Sequence, residues 1–367
     1  MRNLGLYIHI PFCTGKCPYC DFYSINADEK LMDRYLDALL RDIRGQDKYA
    51  IDSIYFGGGS PSIFGAGRIA EALENIYKQF KVIEPCEITV ECRPMEGLDY
   101  SYWAGFFKTL SKAGANRLSL GLQSVNGTEL KILNRRADAE NVMDTVEAAK
   151  SCVIQNISLD LMLGIPGQTI RSLGKSIDFC LDSDVTHISA YMLKIEDGTP
   201  FAEMELDLPC EEEVCDLYLH LAARLEKAGI YQYEISNFAK KGFESRHNLK
   251  YWRCEEYLGF GAAAHFFING ERYCYPRDIS YYIEGKPGIF DSAGGDFGEY
   301  AMLKLRLAEG LNENEVMERF SHNIPKEMHE KAGKFQNMGL AVCDKNGIRL
   351  TRKGFLLSNT VISEIIL

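Results

Sequence analysis

Cys13-Thr14-Gly15-Lys16-Cys17-Pro18-Tyr19-Cys20 sets three cysteines in a C-x3-C-x2-C array directly after the apolar run of residues 4–11. Three thiolates on one loop can grip a metal cluster and leave one coordination position empty. Iron-sulfur clusters that only carry electrons or hold structure usually take four cysteines, so three suggest an iron free to bind something else. Two alternatives compete. A zinc site closes with four Cys or His ligands, and the nearest further ligand here, His9, lies before the array. The other alternative is three unconnected buried cysteines. The tight spacing, the Gly and Pro that bend the chain, and the strand-like run before them favour the cluster.

Working outward, Tyr7-Ile8-His9-Ile10-Pro11-Phe12-Cys13 and Cys20-Asp21-Phe22-Tyr23 resemble the radical S-adenosylmethionine (SAM) superfamily, and within it the coproporphyrinogen III oxidase-like branch. The resemblance implies a 4Fe-4S cluster bound by Cys13, Cys17 and Cys20. It further implies that the amino and carboxylate groups of S-adenosylmethionine chelate the fourth iron, and that an electron from the cluster cleaves the sulfonium to a 5′-deoxyadenosyl radical.

Beyond the array the pattern alternates. Leu31, Met32, Tyr35, Leu36, Leu39, Leu40 and Ile43 recur at spacings near 3.6, which predicts an amphipathic helix over 28–46. Apolar runs predict strands at 6–10, 51–56, 87–91, 117–122, 157–163 and 187–193, with helical stretches between them. Strands that alternate with helices pair in parallel, because a parallel connection needs a crossover of roughly a dozen residues or more. The expected fold class is α/β: a partial (β/α)6 barrel of the radical SAM type, with a small C-terminal helical, winged-helix-like domain. In such barrels the carboxyl ends of the strands face the active site, and each motif below lies at one of those ends.

The second strand runs into Gly57-Gly58-Gly59-Ser60-Pro61-Ser62, where consecutive glycines let backbone approach a ligand. A phosphate loop is excluded because no Gly-Lys-Ser/Thr follows, and a plain tight turn is the alternative. The third strand ends at Glu91-Cys92-Arg93-Pro94 and the fourth at Gly121-Leu122-Gln123-Ser124. Carboxylate and amide side chains are the groups that hydrogen-bond ribose hydroxyls and an α-amino group, although such residues are individually more often caps or surface groups. By resemblance, Gly58, Gly59 and Ser60 contact the amino end of S-adenosylmethionine. Glu91, Gln123, Arg135, Asp160, Tyr7 and Tyr19 are its further ligands, Arg135 pairing with the carboxylate and Asp160 with ribose or amine. Two positions depart from the branch: Arg93 stands where relatives usually have Asn, and Ala137 where they often have His.

Arg246-His247-Asn248-Leu249-Lys250-Tyr251-Trp252 offers one imidazole among aromatic walls, which suits an axial ligand to heme. The alternative is a packed segment in which His247 is merely hydrogen-bonded. This H-N-x-x-Y-W element resembles that of the HemW-type heme chaperones, where it is implicated in heme binding, and the likeness runs from Tyr7 to Asn359. It makes His247 the favoured heme ligand. Gly259-Phe260-Gly261-Ala262-Ala263-Ala264-His265 fits a loose G-x-G-x-x-A pattern, but no βαβ unit frames it, so a dinucleotide site is not expected; His265 is a weaker candidate ligand.

The chain of 367 residues is long enough for a barrel and a second domain. We expect a barrel over 1–205, a barrel extension and connecting segment with the H-N-x-x-Y-W element over 206–290, and a winged-helix-like domain over 291–367. Within this, 285–297 reads as a linker, 313–320 as a helix behind an Asn312–Glu315 capping box, Asn346-Gly347 as a hairpin turn, and 353–365 as a last helix. A net charge of −11 argues against general nucleic-acid binding, and residues 291–367 hold ten Lys/Arg against eleven Asp/Glu. No apolar run is long enough to span a membrane, no signal peptide is evident, and the twelve cysteines are scattered as where thiols stay reduced, so a cytoplasmic protein is expected.

Two functions fit these features. One is a heme chaperone that passes heme to acceptor apoproteins, with an electron donor for the cluster; the sequence leaves a homodimer open. The other is an oxygen-independent coproporphyrinogen III oxidase of porphyrin biosynthesis. The oxidases carry a fourth cysteine two places after the third, where this chain has Phe22, and a substantial segment before the array, where twelve residues precede Cys13. Both differences favour the chaperone. A heme-opening radical methyltransferase of the same branch has no specific support.

Overall fold

The computed structural model describes residues 3–367. Its first half is built from six strands in chain order: β1 (Asn3–Ile10), β2 (Ala50–Gly58), β3 (Lys81–Cys92), β4 (Arg117–Gln123), β5 (Asn156–Leu163) and β6 (His187–Met192). Each pairs in parallel with the next. Helices cross back outside them, the first being Glu29–Arg44, where the Asp28 side chain accepts a hydrogen bond from the Leu31 amide at 2.9 Å. That helix buries Met32, Tyr35, Leu36, Leu39, Leu40 and Ile43 against the sheet, the periodicity seen in the sequence.

The sheet continues past the sixth strand on both sides. β7 (Tyr231–Gln232) and β8 (Asn237–Ala239) follow antiparallel at β6. At the other edge, β9 (Tyr257–Phe260) lies parallel to β1, with β10 (His265–Ile268), β11 (Glu271–Cys274) and β12 (Ile289–Ala293) added antiparallel. The result is one twelve-stranded sheet in the order β12-β11-β10-β9-β1-β2-β3-β4-β5-β6-β8-β7. Its end strands do not pair, so the barrel is open. The stretch 285–297, expected as a linker, contains β12. Its Gly285 and Gly295 have positive φ (75° and 82°) and flank that strand, so the turn residues mark its ends rather than a flexible tether.

The C-terminal fifth of the chain is a winged-helix arrangement. Its sheet joins β13 (Leu311–Asn312), β14 (Ala341–Asp344) and β15 (Gly347–Leu350) in the order β13-β15-β14, with the helices Phe297–Lys304, Glu313–Phe320 and Lys326–Asn337 before the hairpin. Two local expectations are corrected. Asn312 caps its helix, accepting from the Asn314 and Glu315 amides at 2.9 and 3.3 Å, but Glu315 does not reciprocate. Its carboxylate turns to the buried Lys304 ammonium at 2.8 Å instead, a charge that needs a partner more than an exposed amide does. The final helix breaks at Leu357 (φ −112°, ψ 21°) into Arg352–Leu356 and Ser358–Ile366. The domain has its own core, with Val316, Ile348, Phe355 and Val361, and shares it with Tyr257 and Phe267 of the large sheet. Among the described residues no helix is long and apolar enough to cross a membrane.

Candidate functional site

The cysteine array forms the loop that leaves β1. Its neck is closed by the Cys13 amide donating to the Ile25 carbonyl at 3.0 Å and the Ile25 amide to Pro11 at 2.9 Å, and the Cys20 amide turns back on the Cys17 carbonyl at 3.0 Å. All three are free thiols, Cys17 buried and the others half-buried. Arg93 Nη1 donates to Cys13 Sγ at 3.2 Å and to the Gly15 carbonyl at 2.9 Å. The departure at Arg93 therefore sets a guanidinium on a loop thiol. Burial raises the Cys20 pKa and Cys17 adds to this, while Lys16 opposes it. Among the described residues no three His, Cys, Asp or Glu side chains converge on a point that would hold a single metal ion. A polynuclear cluster, which binds each thiolate at a different iron, does not require that convergence. Three free thiols on one closed loop, with a guanidinium against one of them, fit such a cluster.

At the strand ends, packing dictates the glycines. Gly58 has φ 109°, and a Cβ there would lie 2.6 Å from the His9 ring. One at Gly59 would lie 2.7 Å from the Phe12 carbonyl, and the Gly59 amide donates to Ile10 at 2.9 Å. Ser60 is buried and hydrogen-bonded to Ser62 at 3.1 Å. Glu91 ties two strands together, accepting from Tyr55 Oη at 2.7 Å and from the Gly58 amide at 3.2 Å. Burial, reinforced by the nearby Asp160 carboxylate, pushes its pKa to about 7 although the Tyr55 hydrogen bond opposes the shift. Asp160 accepts from Ser119 Oγ at 3.1 Å, and burial raises its pKa too.

Arg135 and Gln123 converge over Gly121, whose missing Cβ would stand 3.0 Å from the guanidinium and 3.1 Å from the amide. Arg135 donates to the Gly121 carbonyl. Gln123, the last residue of β4, has φ 67°, a left-handed conformation, and its side-chain amide lies back over Gly121. Arg135 acts electrostatically on both Tyr19 and Asp160, and Asp160 on Glu91. The structure thus strings Tyr19, Arg135, Asp160 and Glu91 from the cysteine loop across the sheet.

Next to this row lies a cavity of about 600 Å³. Tyr7, Tyr55 and Glu91 line it from the barrel strands, Tyr251, Tyr257 and His265 from the segment that follows the barrel, and Phe22 and Tyr23 from the chain just past Cys20. Tyr7 donates or accepts with His9 Nδ1 at 3.0 Å and stacks on Tyr55 with centroids 6.2 Å apart. Sequence reasoning missed Tyr55, Tyr191 and Arg272 on these walls. It also missed Arg117, a fully buried guanidinium 3.5 Å from Thr89 Oγ1 that holds down the pKa of Glu91 and Asp160. An arginine opening an otherwise apolar strand was the available signal.

The H-N-x-x-Y-W element is the helix Arg246–Trp252, capped by Ser245. The buried Glu87 carboxylate of β3 accepts from the Arg246 and His247 amides, each at 3.0 Å, which fixes the helix start to the barrel. The structure places His247 in a packed segment. His247 is fully buried, with Nδ1 3.0 Å from Ser53 Oγ and Nε2 2.8 Å from Tyr251 Oη, so both ring nitrogens are engaged. Burial and the neighbouring Lys250 lower its pKa to about 3, keeping it neutral. Lys250 is itself buried between Asp52 at 2.9 Å and Glu255 at 3.1 Å. At the G-x-G segment, a Cβ on Gly259 would lie 2.2 Å from the His265 carbonyl, so this glycine admits a neighbouring strand.

Comparison with known proteins adds the following. Residues 7–180 match the Radical SAM superfamily and residues 298–357 the HemN C-terminal domain. A protein of Lactococcus lactis subsp. lactis named Heme chaperone HemW is 32% identical across 98% of this chain and 97% of its own. One of the same name from Bacillus subtilis is 33% identical across 98% of each chain. Coproporphyrinogen III oxidase (HemN) from Escherichia coli has a solved structure that superposes with a TM-score of 0.85, covering 100% of this chain and 90% of that one at 21% identity. That is a likeness of fold.

Proposed function

Because the chain belongs to the radical SAM superfamily and, within it, to the family of the proteins named Heme chaperone HemW, we propose that it is a heme chaperone, which receives heme and passes it to acceptor apoproteins in the cytoplasm. The observation that supports this reading is the aromatic cavity of about 600 Å³ that opens beside the three-thiol loop, a volume in the range of cofactor sites. In this reading Cys13, Cys17 and Cys20 hold a 4Fe-4S cluster. Gly58, Gly59, Ser60, Glu91, Gln123, Arg135 and Asp160, with Tyr7 and Tyr19, hold S-adenosylmethionine. When bound, the pair supplies one-electron reduction of a sulfonium, drawing on an external electron donor.

The chain's own residues do the rest. Arg135 offers charge to a carboxylate. Glu91, with a pKa near neutrality, takes or gives up a proton at its Oε atoms as a bound amine requires. Arg93 opposes the negative charge of the Cys13 sulfur. His247 positions Tyr251 and Tyr55 in the cavity wall, hydrogen-bonding the first and stacking on the second at 5.3 Å. With a division into 1–205, 206–290 and 291–367, the middle unit contributes Tyr251, Tyr257 and His265 to the cavity lining.

The test is to purify the full chain without oxygen, restore iron and sulfide, and offer it heme in one arm and coproporphyrinogen III with S-adenosylmethionine and reductant in the other. Stoichiometric heme uptake, delivery to an apoprotein and no protoporphyrinogen are expected. Protoporphyrinogen formed over multiple turnovers would overturn the proposal.

A further inference from the structure

We infer that the cavity takes the metalloporphyrin itself and that His265 supplies the ligand to its iron; this rests on the heme-chaperone reading. Four observations carry it. The first is what the other imidazoles near the barrel are doing. His9 lines the same cavity, but its Nδ1 lies 3.0 Å from Tyr7 Oη and its Nε2 3.1 Å from the Tyr23 carbonyl. His187 is buried between Ser158 Oγ at 2.7 Å and Tyr233 Oη at 2.9 Å. With His247 also engaged at both nitrogens, none of the three has a lone pair to give without breaking a buried hydrogen bond, which costs ~1–3 kcal/mol for each group left unsatisfied.

His265 is the contrast. It opens β10, is exposed, lines the cavity, and among the described residues its ring makes no hydrogen bond. Its backbone is nonetheless fixed, paired with Cys274 on one side and pressed against Gly259 on the other. Because Gly259 carries no side chain, β9 can lie this close to the His265 carbonyl. An anchored backbone with an unengaged ring is what an iron ligand needs.

The third observation is the wall. Tyr7, Tyr55, Tyr251, Tyr257 and Tyr275 present aromatic surface to the space, which matches the flat, apolar body of a tetrapyrrole. The fourth is a cation at the mouth. Arg277 is paired with Asp21 at 2.8 Å, and both side chains are largely exposed, 60% and 45%. A pair so exposed is worth only ~0–1 kcal/mol, so a carboxylate at the edge of a macrocycle can take the place of Asp21.

The experiment is heme titration of the full, cluster-loaded chain, followed by visible absorption and by EPR of the ferric complex, for wild type, His265→Ala and, as a control at an exposed imidazole outside the cavity, His322→Ala. His265→Ala is expected to weaken heme at least tenfold and to change the ferric spectrum, with added imidazole restoring the wild-type spectrum. His322→Ala is expected to stay within threefold of wild type with the same spectrum. Circular dichroism and iron content check that each variant is folded and loaded. If the wild type binds heme and His265→Ala keeps both its affinity and its spectrum, the ligand assignment alone is overturned. If the wild type takes up no heme, the chaperone reading falls and this inference with it.

Discussion

Cys17 is the buried member of the thiol array, so its loss cannot be made good by a solvent-exposed neighbour. Cys17→Ala is expected to abolish bound iron and acid-labile sulfide, measured chemically after anaerobic reconstitution, with no loss of helix content. Unchanged iron would remove the thiol loop from consideration. Gly58 makes a different demand. Its φ of 109° and the His9 ring 2.6 Å from its missing Cβ leave no room for a methyl group. Gly58→Ala should therefore cost about 2–4 kcal/mol in urea unfolding, from strain and overpacking together. The sequence marked both residues, but its reason for Gly58 was ligand approach, whereas the structure adds the packing of β2 on β1. Arg93 was legible only as a departure, because its contact with Cys13 joins residues far apart in the chain.

At the scale of elements, the strands and helices of the barrel were legible because period and length agree in each, as in Glu29–Arg44 and Glu211–Lys227. The short strands after the sixth were not. β7 has two residues and β8 three, too few for alternation to register, and β12 hides between glycines. The surroundings of His247 were hidden for the same reason: its partners Ser53 and Tyr55 come from β2, and no local pattern announces them. The segment between β7 and β8 carries a prediction of its own. The Tyr233 carbonyl and Ile235 amide bond the backbone of Ala308 and Arg306 at 2.9 and 3.1 Å, joining the sheet to the winged helix, and Glu234 between them is fully buried. Neither of its carboxylate oxygens has a well-formed hydrogen bond, though the Ser236 and Asn237 amides lie close enough to oppose the effect of burial. Burial raises its pKa from 4.5 to about 7. The folded protein then keeps a proton that the unfolded chain has lost, so this contribution is full below pH ~4.5 and is lost as pH rises through ~7. Glu234→Gln should remove on the order of 1–3 kcal/mol of the wild-type loss between pH 5.5 and 8, read from urea midpoints. Equal pH slopes in the two proteins would refute it.

For the whole molecule, charge separates shape from use. The winged helix has the outline of a DNA-binding unit, but its ten basic and eleven acidic residues leave it near neutral on a chain of net charge −11. Without a surplus of cations there is little counterion release to drive binding. No retardation of duplex DNA is expected at about 150 mM salt in a gel-shift assay, and a salt-sensitive complex would contradict this. The sequence conveyed the presence of the two units but not their connection, since the cavity is walled by Tyr7 and His265 of the large sheet together with Glu299 and Leu303 of the winged helix. A last consequence concerns time. Gly5 to Ile8 of β1 lie between β2 and β9, and β9 begins only at Tyr257. At a synthesis rate of ~5–20 residues per second, the emerging chain holds β1 with one bare flank for tens of seconds. During that interval the thiol loop hangs from a half-dressed strand, while the wall that carries His265 has not left the ribosome. In the proposed reading, iron and sulfide delivered to the nascent chain would meet the thiols before a macrocycle could find its pocket.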